Sequence, residues 1–437
     1  MIYKSLISTP NPGDLMSILI SNIQCLVHTE DKIILKYSGK EMSTLNTIEN
    51  AFVFIKDDKI HSFGKCSDQK LNEIRSGNSP LNEIDASGKL VFPSWCDSHT
   101  HLVYAGSREY EFVDRIKGLS YEEIAQRGGG ILNSVKKLRN ESEEVLFENA
   151  VGRLNEILRH GTGAVEIKSG YGLDVESELK MLRVIKRLRE KSALTIKSTF
   201  LGAHAVPEEF KGNKKGYLDL IINEILPAIS KEKLADYCDI FCEQNYFTKD
   251  DALRLFDAAH KHGLTPKVHA EQLSHSGGIE AGVESKAISV DHLEYANDHD
   301  IEILKRSMTI PVLLPGAQFF LNLPMPPARK MISSGLAIAI SSDFNPGSCP
   351  SGNMNQMVSL ACILHKMTPE EAILAATTNS AYAMNLSSQL GSIAVGKKAN
   401  LFITKKIPSY SYLPYYFGSN LVEEVILNGK VMKHDDY

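Results

Sequence analysis

The chain has 437 residues, 43% of them apolar, and a formal net charge of −5. That length supports one large domain with a smaller one beside it. The mild charge, with no long basic block, argues against nucleic acid or an anionic membrane as the main partner and leaves a small molecule as the default.

The opening segment, Met1 to Pro10, lacks the uninterrupted apolar core of a signal peptide, and no later stretch has the length that spans a bilayer. A cytoplasmic protein is expected. Seven cysteines without a Cys-x-x-Cys pair read as reduced thiols. Cys238 and Cys242 are expected beside a strand, and Cys96 acts as a small apolar residue.

Residues 17–28 and 51–64 alternate in the manner of strands, with Asp57-Asp58 at a hairpin turn. Near the other end, Asn400-Leu-Phe-Ile-Thr and Val422 to Met432 are strands again, turning at Asn428-Gly429. Chain termini often lie close together, so these segments are expected to form one small β-sandwich domain. Between them the pattern repeats strand, loop, helix. The candidate strands are 89–95, 163–168, 195–201, 237–241, 266–269, 287–291, 310–314 and 336–342, with helices such as Glu143–His160 and Glu176–Lys191 between them. This α/β pattern predicts a TIM-type (β/α)8 barrel, which usually takes about 250 residues. An open doubly wound sheet is less consistent, because no Gly-x-Gly-x-x-Gly follows the first strand. The domain boundaries are placed at 1–88, 89–385 and 386–437. Gly128-Gly129-Gly130 belongs to a long rim loop, 106–131, expected to act as a mobile lid.

One motif stands out against this frame. Leu90 to Ser98 is followed by His99-Thr-His101, and in an extended chain two residues one apart project to the same side, where both can reach one metal ion. With 14 histidines, chance alone gives roughly half of one such pair, so context has to decide. His260-Lys-His262 has the same spacing but sits on a helix ending at Gly263, where the rings point about 200° apart.

In a (β/α)8 barrel the functional residues gather at the C-terminal strand ends. Strand one ends in His99 and His101, strand two in Glu166, Lys168 and Tyr171, strand three in His204, and strand four in Glu243. Strand five ends in His269, Glu271 and Gln272, strand six in Asp291, His292 and Glu294, and strand eight in Asp343 and Asn345. Neutral imidazoles with a carboxylate suit zinc or ferrous iron with one position left for water. The ligand set is His99, His101, His269 and Asp343. Such an ion brings the pKa of its water to about 7, and hydrolysis of a carbonyl or amidine is the natural chemistry. His292 is a candidate general base or carbonyl-polarising group, His204 suits substrate contact, and Asp291 is expected to point away from the lumen because strand neighbours alternate. Arg108 is either paired with Glu109 or Glu111 or clamps a substrate carboxylate. Tyr171, flanked by glycines, is either a presented phenol or a packed aromatic.

These residues resemble the amidohydrolase superfamily over nearly the whole chain. The segments that carry the likeness are His99 to Glu109, Lys168-Ser-Gly-Tyr-Gly-Leu, Phe200 to Pro207, Val268-His-Ala-Glu-Gln, Asp291-His-Leu-Glu and Ser342-Asp-Phe-Asn-Pro-Gly-Ser. The resemblance implies one divalent ion, zinc or iron, on His99, His101, His269 and Asp343, with His292 activating water and His292 or Asp343 moving the proton. It implies Arg108, Tyr171, His204, Gln272, Asn345, Gly347 and Ser348 as the substrate-binding set. Where this chain has Gln272 the family also uses a glutamate, and an amide serves for binding rather than as a base. The implied reaction is hydrolysis of 4-imidazolone-5-propanoate, a small anion, to N-formimidoyl-L-glutamate in histidine degradation, by a cytoplasmic homodimer. Competing readings are a cyclic amidase with two metals bridged by a carboxylated lysine, for which only Lys168 on strand two offers itself and Glu243 a second ligand, a deaminase, and a barrel kept as a scaffold.

Overall fold

The computed structural model describes residues 17–432 other than 120–122, 124–126 and 128. The readings that rest on residues 1–16, on Gly128 and on 433–437 lie outside them.

Strand β1 (Ser17–Val27) pairs antiparallel with β2 (Thr47–Lys56), which turns at Asp57-Asp58 into β3 (Lys59–Lys65). On its other side β1 takes two parallel partners in succession. Its first half pairs with β4 (Leu81–Asp85), and Cys25 and Leu26 pair with β5 (Lys89–Pro93).

The barrel follows as β6 (Trp95–Thr100), β7 (Thr162–Lys168), β8 (Thr195–Ala203), β9 (Tyr237–Cys242), β10 (Thr265–Ala270), β11 (Ser289–His292), β12 (Ile310–Leu313) and β13 (Ala339–Ile340). Each is parallel to the next in this order. A bridge from Thr100 to Phe344 closes the ring, reinforced by the Asp343 amide donating to the His99 carbonyl at 3.0 Å. The helices between strands start where the sequence offers an acceptor for free N-terminal amides. Ser142 caps Glu143–Arg159, Asp174 caps Val175–Lys191, and Thr248 with Asp251 makes a capping box on Lys249–Lys261. His260 and His262 lie at the end of that last helix, His260 exposed and His262 partly so, as the spacing argument predicts.

Beyond the barrel, β14 (Leu401–Lys406) pairs antiparallel with β5 and with β15 (Val422–Leu427). The chain then turns at Asn428-Gly429, both at positive φ, into β16 (Lys430–Val431). The two chain ends thus share one mixed sheet, whose core is built from Ile18, Ile20, Val53 and Ile55 of one end and Leu401, Ile403 and Ile426 of the other.

One strand differs from the sequence reading. Residues 89–95 are not the first barrel strand: Lys89–Pro93 belongs to the chain-end sheet, and the barrel begins at Trp95. The switch falls at Ser94, whose amide donates to Asn400, while the Trp95 amide donates to Gly161. Leu90 to Trp95 is buried throughout, so the apolar run carries no mark of the change of sheet. The rim segment 106–131 likewise contains a helix, Glu109–Ile116, rather than loop alone.

Candidate active site

At the C-terminal end of the barrel, His99, His101 and His269 each bring a ring nitrogen to within 4.8 Å of the others. His99, His292 and a carboxylate oxygen of Asp343 form a second such group. Asp343 Oδ1 lies 3.5 Å from Nε2 of both His99 and His101. All five side chains are at most 3% exposed. Burial, with neighbouring cations and imidazoles, holds His99 and His101 well below the usual imidazole pKa, so both rings are neutral and free to donate lone pairs. The buried Nε2 of His99 has no hydrogen-bond partner among the described residues, a costly arrangement for a group that binds nothing. Three imidazoles and one carboxylate fit a borderline divalent ion.

The other ring nitrogens of His99 and His269 face carboxylates. His99 Nδ1 is 2.6 Å from Asp291 Oδ2, and His269 Nδ1 is 3.1 Å from Asp239 Oδ2. This corrects the expected orientation of Asp291: it points into the lumen, where Ser289 donates to its other oxygen. His292 reaches the site as well, because the backbone does not continue as an ideal strand. At His292 and Leu293 φ is +91° and +74°, and that turn brings the next side chain back to the same side. His292 Nδ1 then lies 3.6 Å from Glu294, which accepts from Gln318 at 3.1 Å, and the Gln318 carbonyl pairs with His365 Nε2 at 2.7 Å. Burial opposes a charged His292, but Glu294, Asp343 and Asp291 together more than compensate and raise its pKa.

A cavity of about 510 Å³ opens above this cluster. Apart from His99, which sits beneath it, every residue assigned from sequence lines it: His101, Arg108, Tyr171, His204, His269 and Gln272, then His292, Asp343, Asn345, Gly347 and Ser348. Arg108 is paired with Glu111, at 2.9 Å from Nε and 2.5 Å from Nη2, and its Nη1 occupies the space that a Cβ on residue 347 would take. Tyr171 is 3% exposed and packs 5.8 Å from the His101 ring, so it is both packed and presented to the cavity. The turn that carries it is held by Glu178, a buried carboxylate that accepts from the amides of Gly170, Gly172 and Leu173. His204 stacks on His101 at 5.5 Å, and burial pushes its pKa down to about 3. Asn345 accepts from the amides of Gly347 and Ser348, and Ser348 donates to Asp343 Oδ2 at 2.8 Å.

Two candidates from the strand ends serve elsewhere. Glu243 accepts from the amides of Gln244 and Leu273 and from Ser274, and Glu271 accepts from the amides of Gly278 and Ile279 at a helix start. The sequence reading missed Arg115, a second cavity arginine one helical turn beyond Glu111, which donates to the Gly347 carbonyl at 3.1 Å. Its spacing of seven from Arg108 is the signal that marks it.

Fold and site together define a metal-dependent hydrolase class, and the sequence pattern of the Amidohydrolase family matches residues 90–432: the chain belongs to that family. Within it the chain groups with the imidazolonepropionases. It is 57% identical to the imidazolonepropionases of Christiangramia forsetii and of Flavobacterium johnsoniae, in each case over 95% of this chain and all of the relative. Escherichia coli guanine deaminase shares the fold, with a TM-score of 0.72 at 12% identity over 96% of this chain and 99% of that one.

Proposed function

We propose that the protein is an imidazolonepropionase that hydrolyses the ring amide of 4-imidazolone-5-propanoate to N-formimidoyl-L-glutamate. The observation that carries this reading is the cavity in which a buried imidazole and carboxylate cluster meets two arginines. The similarity to curated imidazolonepropionases over nearly the full chain supports it.

His99, His101, His269 and Asp343 would hold one divalent ion, zinc or iron. When bound, that ion supplies Lewis acidity and lowers the pKa of water to about 7. Arg108, fixed by Glu111, takes the propanoate carboxylate, and Tyr171, His204 and Gln272 flank the ring. Asn345 and Ser348 fix the loop that carries Asp343. Water oxygen bonds to the ring carbonyl carbon and the bond from that carbon to the ring nitrogen breaks. His292 and Asp343 are placed to take the proton from water and return it to the departing nitrogen. Glu294 at Nδ1 leaves His292 Nε2 to carry that proton. Lys168 does not suit the bridging role of a carboxylated lysine, because its ammonium is already enclosed by carboxylates. A homodimer in the cytoplasm completes the reading.

The test is loss of substrate absorbance by the purified protein, before and after chelation, with His292→Ala beside the wild type. Chelator-sensitive turnover that yields formimidoylglutamate without ammonia is expected, with kcat about 10²- to 10⁴-fold lower in the variant. A protein shown to carry metal that leaves this substrate unchanged would refute the assignment.

A further inference from the structure

Beneath the imidazole cluster the barrel interior is filled by charge where apolar side chains usually sit. Glu166 and Lys168 of β7, Asp239 of β9, Lys267 of β10 and Asp291 of β11 are all fully buried. Lys168 Nζ lies 2.6 Å from Glu166, 2.7 Å from Asp239 Oδ2 and 3.6 Å from Asp291 Oδ2. Lys267 contacts the other oxygen of Glu166 and donates to the Ser98 carbonyl at 3.0 Å.

The same two aspartate oxygens also face the imidazoles. Asp291 Oδ2 meets His99 Nδ1, and Asp239 Oδ2 meets His269 Nδ1. One ammonium therefore touches both carboxylates that orient two different ligand rings. Those carboxylates are on β9 and β11, on either side of the strand that bears His269, and without a cation between them they repel across a dry interior. Carboxylates of this kind fix the tautomer and direction of a metal-bound imidazole, and their loss typically weakens metal binding 10- to 100-fold.

We propose that Lys168 is a positioning residue for the metal, locking the Asp239–His269 and Asp291–His99 pairs to one another so that the two rings are oriented as a unit. The inference rests on the metal-dependent reading above. Lys267 lies in the same layer and touches Glu166 and the carbonyls of Ser98 and Ala383 but neither aspartate; it acts on Asp291 only through space, so it serves as the control for a nearby lysine without contact.

The experiment uses the full-length protein stripped of metal and titrated with zinc against a chromophoric chelator, with cobalt(II) absorption as the report on ligand geometry. Failure of the wild type to bind zinc would overturn the metal reading itself. Given wild-type binding, Lys168→Met is expected to fold, by circular dichroism of the metal-free protein, to bind zinc 10- to 100-fold more weakly and to give an altered cobalt spectrum. Lys267→Met is expected to keep the native cobalt spectrum. Zinc affinity within about twofold of wild type in Lys168→Met, or equal spectral changes in both lysine variants, would refute the proposal. Should Lys168→Met prove insoluble, Asp239→Asn, Asp291→Asn and the double variant decide. Coupling through one lysine makes the combined loss smaller than the product of the two, and simple multiplication of the two losses would overturn it.

Discussion

Gly347 shows how closely a cavity arginine is tied to a backbone position. A Cβ placed there would lie 2.3 Å from Arg108 Nη1 and 3.0 Å from its Cζ. The obstructing atoms are the end of a long side chain, so Gly347→Ala is expected to fold normally and to push the guanidinium aside. KM for the anionic substrate should rise roughly tenfold or more, the scale of one hydrogen bond to a charged group, with kcat changed far less. Steady-state kinetics beside Arg108→Lys check this, and an unchanged KM would show that Arg108 does not meet the carboxylate. The residue itself was legible in the sequence as part of Asn345-Pro-Gly-Ser, but its reason was not: the constraint comes from Arg108, which no local pattern places beside it.

At the scale of elements, the end of β11 departs from strand geometry and in doing so brings His292, the proposed base, into the lumen. Positive φ at His292 and Leu293 lets Asp291 and His292 both face the lumen, which strict alternation forbids. The short helix Pro315–Leu321 then presents Gln318 to Glu294, and the segment after Met354–Ile363 presents His365 to Gln318. Gln318 is fully buried, and its amide is the link that gives this chain a direction. Gln318→Leu keeps the volume and removes both bonds. We expect kcat to fall roughly tenfold, a fraction of the 10²–10⁴ of a whole general base, while KM holds. A variant with wild-type kcat would detach Gln318 from the reaction.

For the whole molecule, buried neutral histidines set the response to acid. Burial pushes the His365 pKa down to about 4 from its ordinary 6.5. Between those values the unfolded chain takes up a proton that the native state refuses, so stability falls as pH falls through that window. Above 6.5 the group contributes nothing, and below about 4 its penalty is constant. The full penalty is about 3 kcal/mol, at about 1.4 kcal/mol per pH unit. His28, buried against Thr377 and Thr378 and likewise lowered by burial, adds in the same direction. Denaturant unfolding of the metal-free protein at pH 7, 6 and 5 should show a steeper acid loss in the wild type than in His365→Gln. Parallel curves would contradict the assignment of a buried neutral ring.

The sequence by itself determined the alternation of strands and helices, the chain-end strands, and the residues gathered at the barrel rim. Those signals are local: side-chain period, turn residues, caps, and the His-x-His spacing on a strand. It could not determine that the segment from Leu90 to Trp95 changes sheets at Ser94, because both halves are equally buried. Nor could it show that Asp291 turns inward, or that Lys168 meets Asp239 across 71 residues of chain. Those facts depend on which strands become neighbours and on a few backbone torsions, and pairwise electrostatics in a dry interior act only once the barrel has closed.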